Sequence, residues 1–472
     1  MPRPDAKKRG ARKRNKKRNH AIWREEGDMA VQSGVAGGEA LSRPVVGKLF
    51  WRIIPLLFLL VMLNYIDRSN LGFAALQMNS QLGFTPAVYG TGASIFFIGY
   101  LCAQIPANLL THKFGARRMI AWIMLAWGLI AAAMALISDA TSFYTLRFLL
   151  AIAEAGMIPG ATLYISQWFP QSERGRAIGT LYTATAAAVM IGAPLSGALL
   201  ELPGWLGLKP WQWMFIIEAA PTIILGLFIG RLLSDDPNRA QWLDEHERAE
   251  LTATLAQERR NVGALNVTGG TAVLANWRVW VLFVVYICIG AQFLSMVLWL
   301  PQIIRHLQNL SPFQIGLITA IPYLISVVLM YYVGQHSDRS GTRAPYVIAG
   351  LLIGALGCAL SAYFTASPVL SLIALIVGIS GCNPLVGPFW SFATGFLQGR
   401  AAAVGIGLLS GGGSIGGFLA TYLLGIFRQR FGSFEAGLYF MAGLALIGAL
   451  LMWLVAHNRE ATLLGRAPAA AD

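Results

Sequence analysis

Apolar runs long enough to cross a bilayer recur from residue 50 to residue 457, broken by short polar loops. Twelve segments qualify: 50–76, 88–111, 119–137, 143–165, 177–200, 211–233, 278–304, 313–335, 344–364, 369–394, 403–427 and 434–457. Each approaches the ~20 residues a helix needs to span the hydrocarbon layer. None shows the polar face, repeated every turn, that a soluble helix carries. The pattern predicts an all-α membrane protein of twelve transmembrane helices. Residues 234–277 form the longest polar stretch between apolar segments and divide the segments six and six. Within it, 238–260 is amphipathic, which predicts a helix on the cytoplasmic membrane surface with its acids solvated rather than arranged for a metal.

The two sets of six repeat one design. Asn108-Leu-Leu-Thr-His112-Lys113-Phe-Gly115-Ala-Arg117-Arg118 follows the second segment, and Gly334-Gln-His-Ser-Asp338-Arg339-Ser-Gly341-Thr-Arg343 follows the eighth, offset by 226 residues. Trp51-Arg52 and Trp277-Arg278 open the first and seventh at the same offset, and Arg176 and Arg400 head the fifth and eleventh at 224. The expected organisation is a basic cytoplasmic tail (1–47), a six-helix bundle (48–233), a linker (234–277), a second six-helix bundle (278–458) and a short cytoplasmic tail (459–472).

Composition agrees. The chain is 56% hydrophobic and 12% charged, with mean hydropathy +0.58, whereas soluble domains average about 25% charged residues. The net charge of +14 is uneven: residues 1–20 hold ten Lys or Arg against Asp5, leaving +5 for the rest. Such a block repels itself and stays unfolded. On a membrane protein it is expected to lie against anionic lipid, at ~1 kcal/mol per basic residue, and not to bind nucleic acid. Met29 offers an alternative start. No cleavable signal peptide is expected, since the first apolar run is a full span.

Basic residues concentrate in alternate loops (the tail, Lys113 to Arg118, Arg174 and Arg176, 234–277, Arg339 and Arg343, Arg400), with Arg305, Arg428 and Arg430 as exceptions. The positive-inside rule then puts both termini in the cytoplasm of a cell inner-membrane protein. Cys102, Cys288, Cys358 and Cys382 lie in apolar segments without metal-type spacing, so they read as packing residues. No metal or cofactor is expected, and no nucleophile elbow or phosphate loop points to an enzyme.

Ionisable residues inside the spans are costly and therefore candidates for function. Away from the span ends they sit in the first half: Asp67 and Arg68, Arg147 and Glu154, and Glu218. In the second half there are none from 279 to 304, 313 to 333, 344 to 394 or 403 to 427. Arg147 and Glu154, seven apart, share a helix face about 10 Å along the axis. Asn64 is within side-chain reach of Asp67 and Arg68, and Tyr65 and Gln104 offer neutral hydrogen bonds. Competing roles stay open: a snorkelling pair for Asp67 and Arg68, an interfacial position for Arg147, an interhelical hydrogen bond for Glu218. Pro159 after Glu154 predicts a bend, and glycines 405–417 predict close helix packing.

The loop 334–343 matches in full the Gly-x-x-x-Asp-Arg-x-Gly-x-Arg pattern of the major facilitator superfamily, which the chain resembles; the loop 108–118 departs from it at Asn108 and His112. Asn64-Tyr-Ile-Asp-Arg68-Ser-Asn, Arg147-Phe-Leu-Leu-Ala-Ile-Ala-Glu154 and Trp168-Phe-Pro-Gln-Ser-Glu-Arg174-Gly-Arg narrow the resemblance to its anion:cation symporter family, over about 48–458. Gly387-Pro-Phe-Trp390 and the glycine-rich eleventh span resemble its tartrate and phthalate branch, with Ser410 and Ser414 where the family often has asparagine. The resemblance implies that the first and fourth helices of each half line a central cavity, that Arg68 holds a substrate carboxylate, and that Asp67 and Glu154 carry protons. Asn64, Tyr65, Arg147, Trp390, Ser410 and Ser414 join it around the substrate, and Lys113, Arg117, Asp338, Arg339 and Arg343 form a cytoplasmic latch. Asp67 is expected to occupy Arg68 until protonated. The expected function is uptake of a small organic anion (tartrate, an aromatic acid or a sugar acid) with protons, by a monomer. A drug or metabolite exporter of the same superfamily is the nearest alternative, and a membrane sensor a more distant one.

Overall fold

The computed structural model describes residues 41–263, 272–395 and 399–457; the basic segment 1–20 and the tail 459–472 lie outside the described residues. Twelve helical spans are present among them. Those of the first half are α1 (Arg43–Leu82), α2 (Pro86–Phe114), α3 (Ala116–Ala133), α4 (Ala140–Glu154) continued by α5 (Met157–Trp168), α6 (Gln171–Leu199) and α7 (Pro210–Leu232). After the linker helix α8 (Glu245–Gly263) come α9 (Trp277–Leu307), α10 (Pro312–Ser340), α11 (Ala344–Tyr363), α12 (Pro368–Cys382) continued by α13 (Val386–Thr394), α14 (Gly399–Phe431) and α15 (Glu435–His457).

The duplication reaches into the irregularities. The fourth and tenth spans are the two that break, at Ala155-Gly156 and at the turn Asn383–Leu385. A proline stands beside each break, Pro159 in the first turn of α5 and Pro384 within the turn; where proline withholds an N–H the helix opens. Between the halves, α2 packs on α14 and α6 on α10, two contacts exchanged by the internal repeat, while α1 meets α9.

Those contacts tighten at one end. Asn79 Nδ2 donates to Gln302 Oε1 (3.3 Å), Ala87 N to Gln429 Oε1 (3.1 Å), Tyr89 Oη to the Leu298 carbonyl (2.9 Å) and Phe313 N to Glu201 Oε1 (3.0 Å). Glycine permits the approach: a Cβ on Gly90 would lie 2.9 Å from the Cα of Gly425. At the opposite end, the far halves of α2 and α10 stand exposed, with Ile105, Leu109, Tyr331 and Tyr332 each more than 60% accessible. The molecule is sealed at the end bearing residues 83–89, 200–209 and 308–313, and among the described residues no hydrogen bond or ion pair joins the halves at the other.

The linker differs from expectation in two respects. Residues 237–239 form a turn capped by Asp236, and the helix begins only at Glu245. Its acids are not a solvated face: Glu247 pairs with Lys48, Glu250 accepts from Ser42, and Glu258 pairs with Arg174 at 3.1 Å. Trp242 stacks on Trp168 at 5.5 Å. These contacts bind the linker helix to the first half and explain why α1 starts at Arg43, earlier than its apolar run.

Candidate substrate site

Two of the buried charges face each other across the first half. Arg68 on α1 donates from Nε to Glu154 Oε2 at 2.9 Å, with Glu154 fully buried and the Arg68 side chain 12% exposed. Glu154 is the last residue of α4, where the chain turns through Ala155-Gly156. A Cβ on Gly156 would lie 2.6 Å from Ile123 Cδ1, so glycine lets this broken span press against α3. Asp67 does not occupy Arg68. Neighbouring residues on a helix point about 100° apart, and Asp67 faces the interior of the first half, where Trp127 Nε1 donates to its Oδ2 at 2.7 Å.

The arginines share an aromatic wall. The Arg68 guanidinium lies 5.0, 5.1 and 4.8 Å from the rings of Tyr65, Phe96 and Tyr100, and that of Arg147 lies 4.5 Å from Phe96. Aromatic faces attract cations and hold a guanidinium in place without neutralising it. Arg68 Nη2 and Arg147 Nε have no hydrogen-bond partner, and Arg147 is 1% exposed. Both arginines line a cavity with Tyr65, Phe96 and Phe97 from the first half and Leu294, Val297 and Leu298 of α9. The cavity therefore lies where the halves meet, next to the seal formed by Tyr89 and Leu298. Two guanidiniums against one contacting carboxylate leave a positive balance, the electrostatics of an anion site. Asn64, fully buried, sits beside Glu154 with both amide atoms unpartnered.

The second half contributes neutral groups. Trp390 on α13 donates from Nε1 to Tyr286 Oη at 3.2 Å, and Phe389 stacks on Tyr286 at 4.8 Å. Tyr286 packs against α14, where a Cβ on Gly413 would come within 2.8 Å of its ring; Ser410 is half-buried and Ser414 buried on that helix. Tyr182 of α6 lies within electrostatic reach of Tyr65, Tyr100 and Tyr286, and Phe293 is 6.5 Å from Tyr65. Tyr100, Tyr182, Tyr286, Phe96 and Trp127 were not anticipated. An aromatic residue in an apolar span carries no signal that it faces a cavity.

The loop charges are not brought together across the halves. Arg117 pairs with Asp235 of its own half at 2.7 Å, and Lys113 lies over Phe114 at 5.4 Å. Arg343 donates to the Ser391 carbonyl of α13 at 3.1 Å, while Asp338 and Arg339 are exposed with no ion pair among the described residues.

Residues 57–421 match the Major Facilitator Superfamily. The chain belongs to that family. It is 43% identical over 432 residues to a protein of Agrobacterium vitis named "Putative tartrate transporter", covering 90% of this chain and 94% of that protein. A quinolone resistance transporter of Acinetobacter baumannii is 35% identical, covering 89% and 96%. Among solved structures, a bacterial homologue of the human lysosomal transporter Spinster superposes with TM-score 0.70 at 17% identity, covering 91% of this chain and all of that one. As a Major Facilitator Superfamily protein with twelve apolar helical spans, the chain is a multi-pass membrane transporter and not an enzyme.

Proposed function

We propose that this transporter takes up a small organic anion, a hydroxylated carboxylate such as tartrate, together with protons across the bacterial inner membrane. The observation that carries the reading is the pair of buried guanidiniums, Arg68 and Arg147, on one cavity between the halves with Glu154 as the one carboxylate in contact. The tartrate relative supports the solute class.

In this scheme Glu154, not Asp67, competes with the substrate for Arg68. While ionised it engages the Nε edge of the guanidinium and repels an incoming carboxylate. Once it takes a proton, the Arg68 edge is free to bind the anion through two parallel charge-assisted hydrogen bonds. Arg147 holds a second anionic group, and Trp390, Tyr286, Ser410 and Ser414 meet the hydroxyl-bearing remainder. Substrate and proton enter together because each lowers the cost of burying the other. With the termini in the cytoplasm, the sealed end faces outward and the structure is inward-facing. The separated loop charges, Lys113 and Arg117 on one side and Asp338, Arg339 and Arg343 on the other, then belong to a latch that closes only in the outward-facing state.

The test is uptake of radiolabelled L-tartrate into proteoliposomes under an inward proton gradient. Accumulation that collapses with a protonophore supports the proposal, and equal uptake without the gradient refutes proton coupling. The aromatic lining and the quinolone resistance relative favour a second reading, export of a planar apolar compound. Gradient-driven quinolone efflux with no tartrate response would establish it.

A further inference from the structure

Glu218 takes no part in the scheme above, yet it is a carboxyl 4% exposed in the interior of the first half. Its Oε1 accepts from Ser196 Oγ at 2.7 Å, and its Oε2 has no partner. Asn70 lies between Glu218 and Asp67, with Nδ2 3.5 Å from Asp67 Oδ1 and its own Oδ1 unpartnered. Thr222, one turn along α7, is fully buried with a free hydroxyl. Among the described residues no ion pair reaches Asp67 or Glu218; Glu154 and Trp127 are the other polar groups near Asp67.

These groups form part of a longer line. Asn64, Asp67, Asn70, Gln77 and Gln81 recur at helical spacing along α1 and extend about 25 Å. Gln77 donates to the Leu200 carbonyl while its Oε1 is unpartnered, and Gln81, which accepts from Trp211, is exposed at the sealed end. Buried polar atoms without a protein partner are usually satisfied by ordered water. The substrate cavity, by contrast, is shut on that side by Tyr89, Leu298, Asn79 and Gln302.

We infer that this polar line inside the first half is a proton entry path, separate from the substrate cavity, running from Gln81 through Glu218 to Asp67 and on to Glu154 by way of Asn64. Glu218 is the relay. Its carboxylic acid gives a proton through bridging water to the Asp67 carboxylate, and the Glu218 carboxylate so formed regains one from a hydronium ion that enters from solution on the Gln81 side, leaving water behind. Asn70 and Ser196 position the two carboxyls. The path lets the proton reach the acids while the substrate gate on that side is closed.

The inference rests on proton coupling, and one preparation separates the two. Proteoliposomes carrying wild type, Glu218→Gln and Gln77→Leu are assayed for L-tartrate exchange and for tartrate-driven proton uptake with an entrapped pH dye. The expected result is proton-coupled net uptake slowed by about a hundred-fold in Glu218→Gln, the low end for loss of a positioned proton carrier, with exchange at the wild-type rate and Gln77→Leu shifted in the same direction. Infrared pH-difference spectra of wild type should contain a carboxylic-acid carbonyl band that Glu218→Gln lacks. Wild-type coupling in both variants overturns the path. An equal fall of exchange and net uptake in Glu218→Gln assigns the residue a structural role and also overturns it. If that variant does not fold, unchanged coupling in Gln77→Leu refutes the path. A wild-type protein that moves tartrate without protons overturns the coupling itself, a distinguishable failure.

Discussion

Replacing Arg68 with lysine tests the anion anchor while keeping the charge. In the structure the Nε edge of Arg68 is engaged by Glu154 and Nη2 has no partner beside the cavity. Once Glu154 is protonated, Nε and Nη2 together present a two-donor fork to a substrate carboxylate. An ammonium is a point charge on a shorter reach and offers no such fork. The substitution should remove about one charge-assisted hydrogen bond from the bound state, ~1.5–3 kcal/mol, or roughly 10- to 150-fold in Kd. Titration calorimetry with L-tartrate on the purified protein reads this directly. The melting temperature, measured alongside, checks that the variant is folded. Arg147→Lys provides the comparison, since Arg147 touches no carboxylate and should lose affinity without changing the competition with Glu154. Lysine at position 68 with wild-type affinity at both high and low pH would refute the assignment of Arg68.

Glu154→Gln should uncouple transport: tartrate exchange persists, net accumulation no longer responds to a proton gradient, and dye-detected proton entry under tartrate would contradict it. Glu201 lies outside the spans, and hydrogen bonds from the Ser311 side chain and the Phe313 backbone hold its carboxyl below the usual glutamate range. The tie it makes to the start of α10 is complete above the ordinary glutamate value and lost as pH falls through the lowered one. Spin-label distances between the ends of α6 and α10 should thus lengthen only in acid, and Glu201→Gln should flatten that dependence; no acid response in wild type would disprove the tie. Gly90→Val places methyl groups against Gly425, where a Cβ alone meets its Cα at 2.9 Å. It should destabilise the sealed end by ~1–3 kcal/mol and increase labelling, by an impermeant thiol reagent, of a cysteine introduced at that end, and unchanged labelling would show that the two helices can yield.

The spans could be read from the sequence because hydrocarbon thickness imposes one length on every apolar run. The doubling could be read because loop residues kept a common offset. The site was legible as a set of residues and not as a set of partners. Asp67 and Arg68 adjoin in sequence and diverge by the helix turn, whereas Arg68 and Glu154 are separated by 86 positions and meet at 2.9 Å. Trp127 gave no warning, since indole looks apolar in a membrane segment until its N–H finds a carboxylate. The linker misled for the opposite reason. An acidic face looks solvated unless the basic residues of another segment, here Lys48 and Arg174, are known to lie opposite.

Phe96 touches both guanidiniums, with Arg68 at 5.1 Å and Arg147 at 4.5 Å from its ring. The ring is in effect a spacer, and the gap between the positive charges cannot exceed the two ring distances taken together. On the transport reading this makes the site a gauge of length. A molecule with acidic groups at both ends engages both arginines only if its backbone matches the spacer, and shorter or longer homologues must leave one positive charge without its partner. Selection among dicarboxylates would then be set by the size of a hydrocarbon ring that never meets their charges.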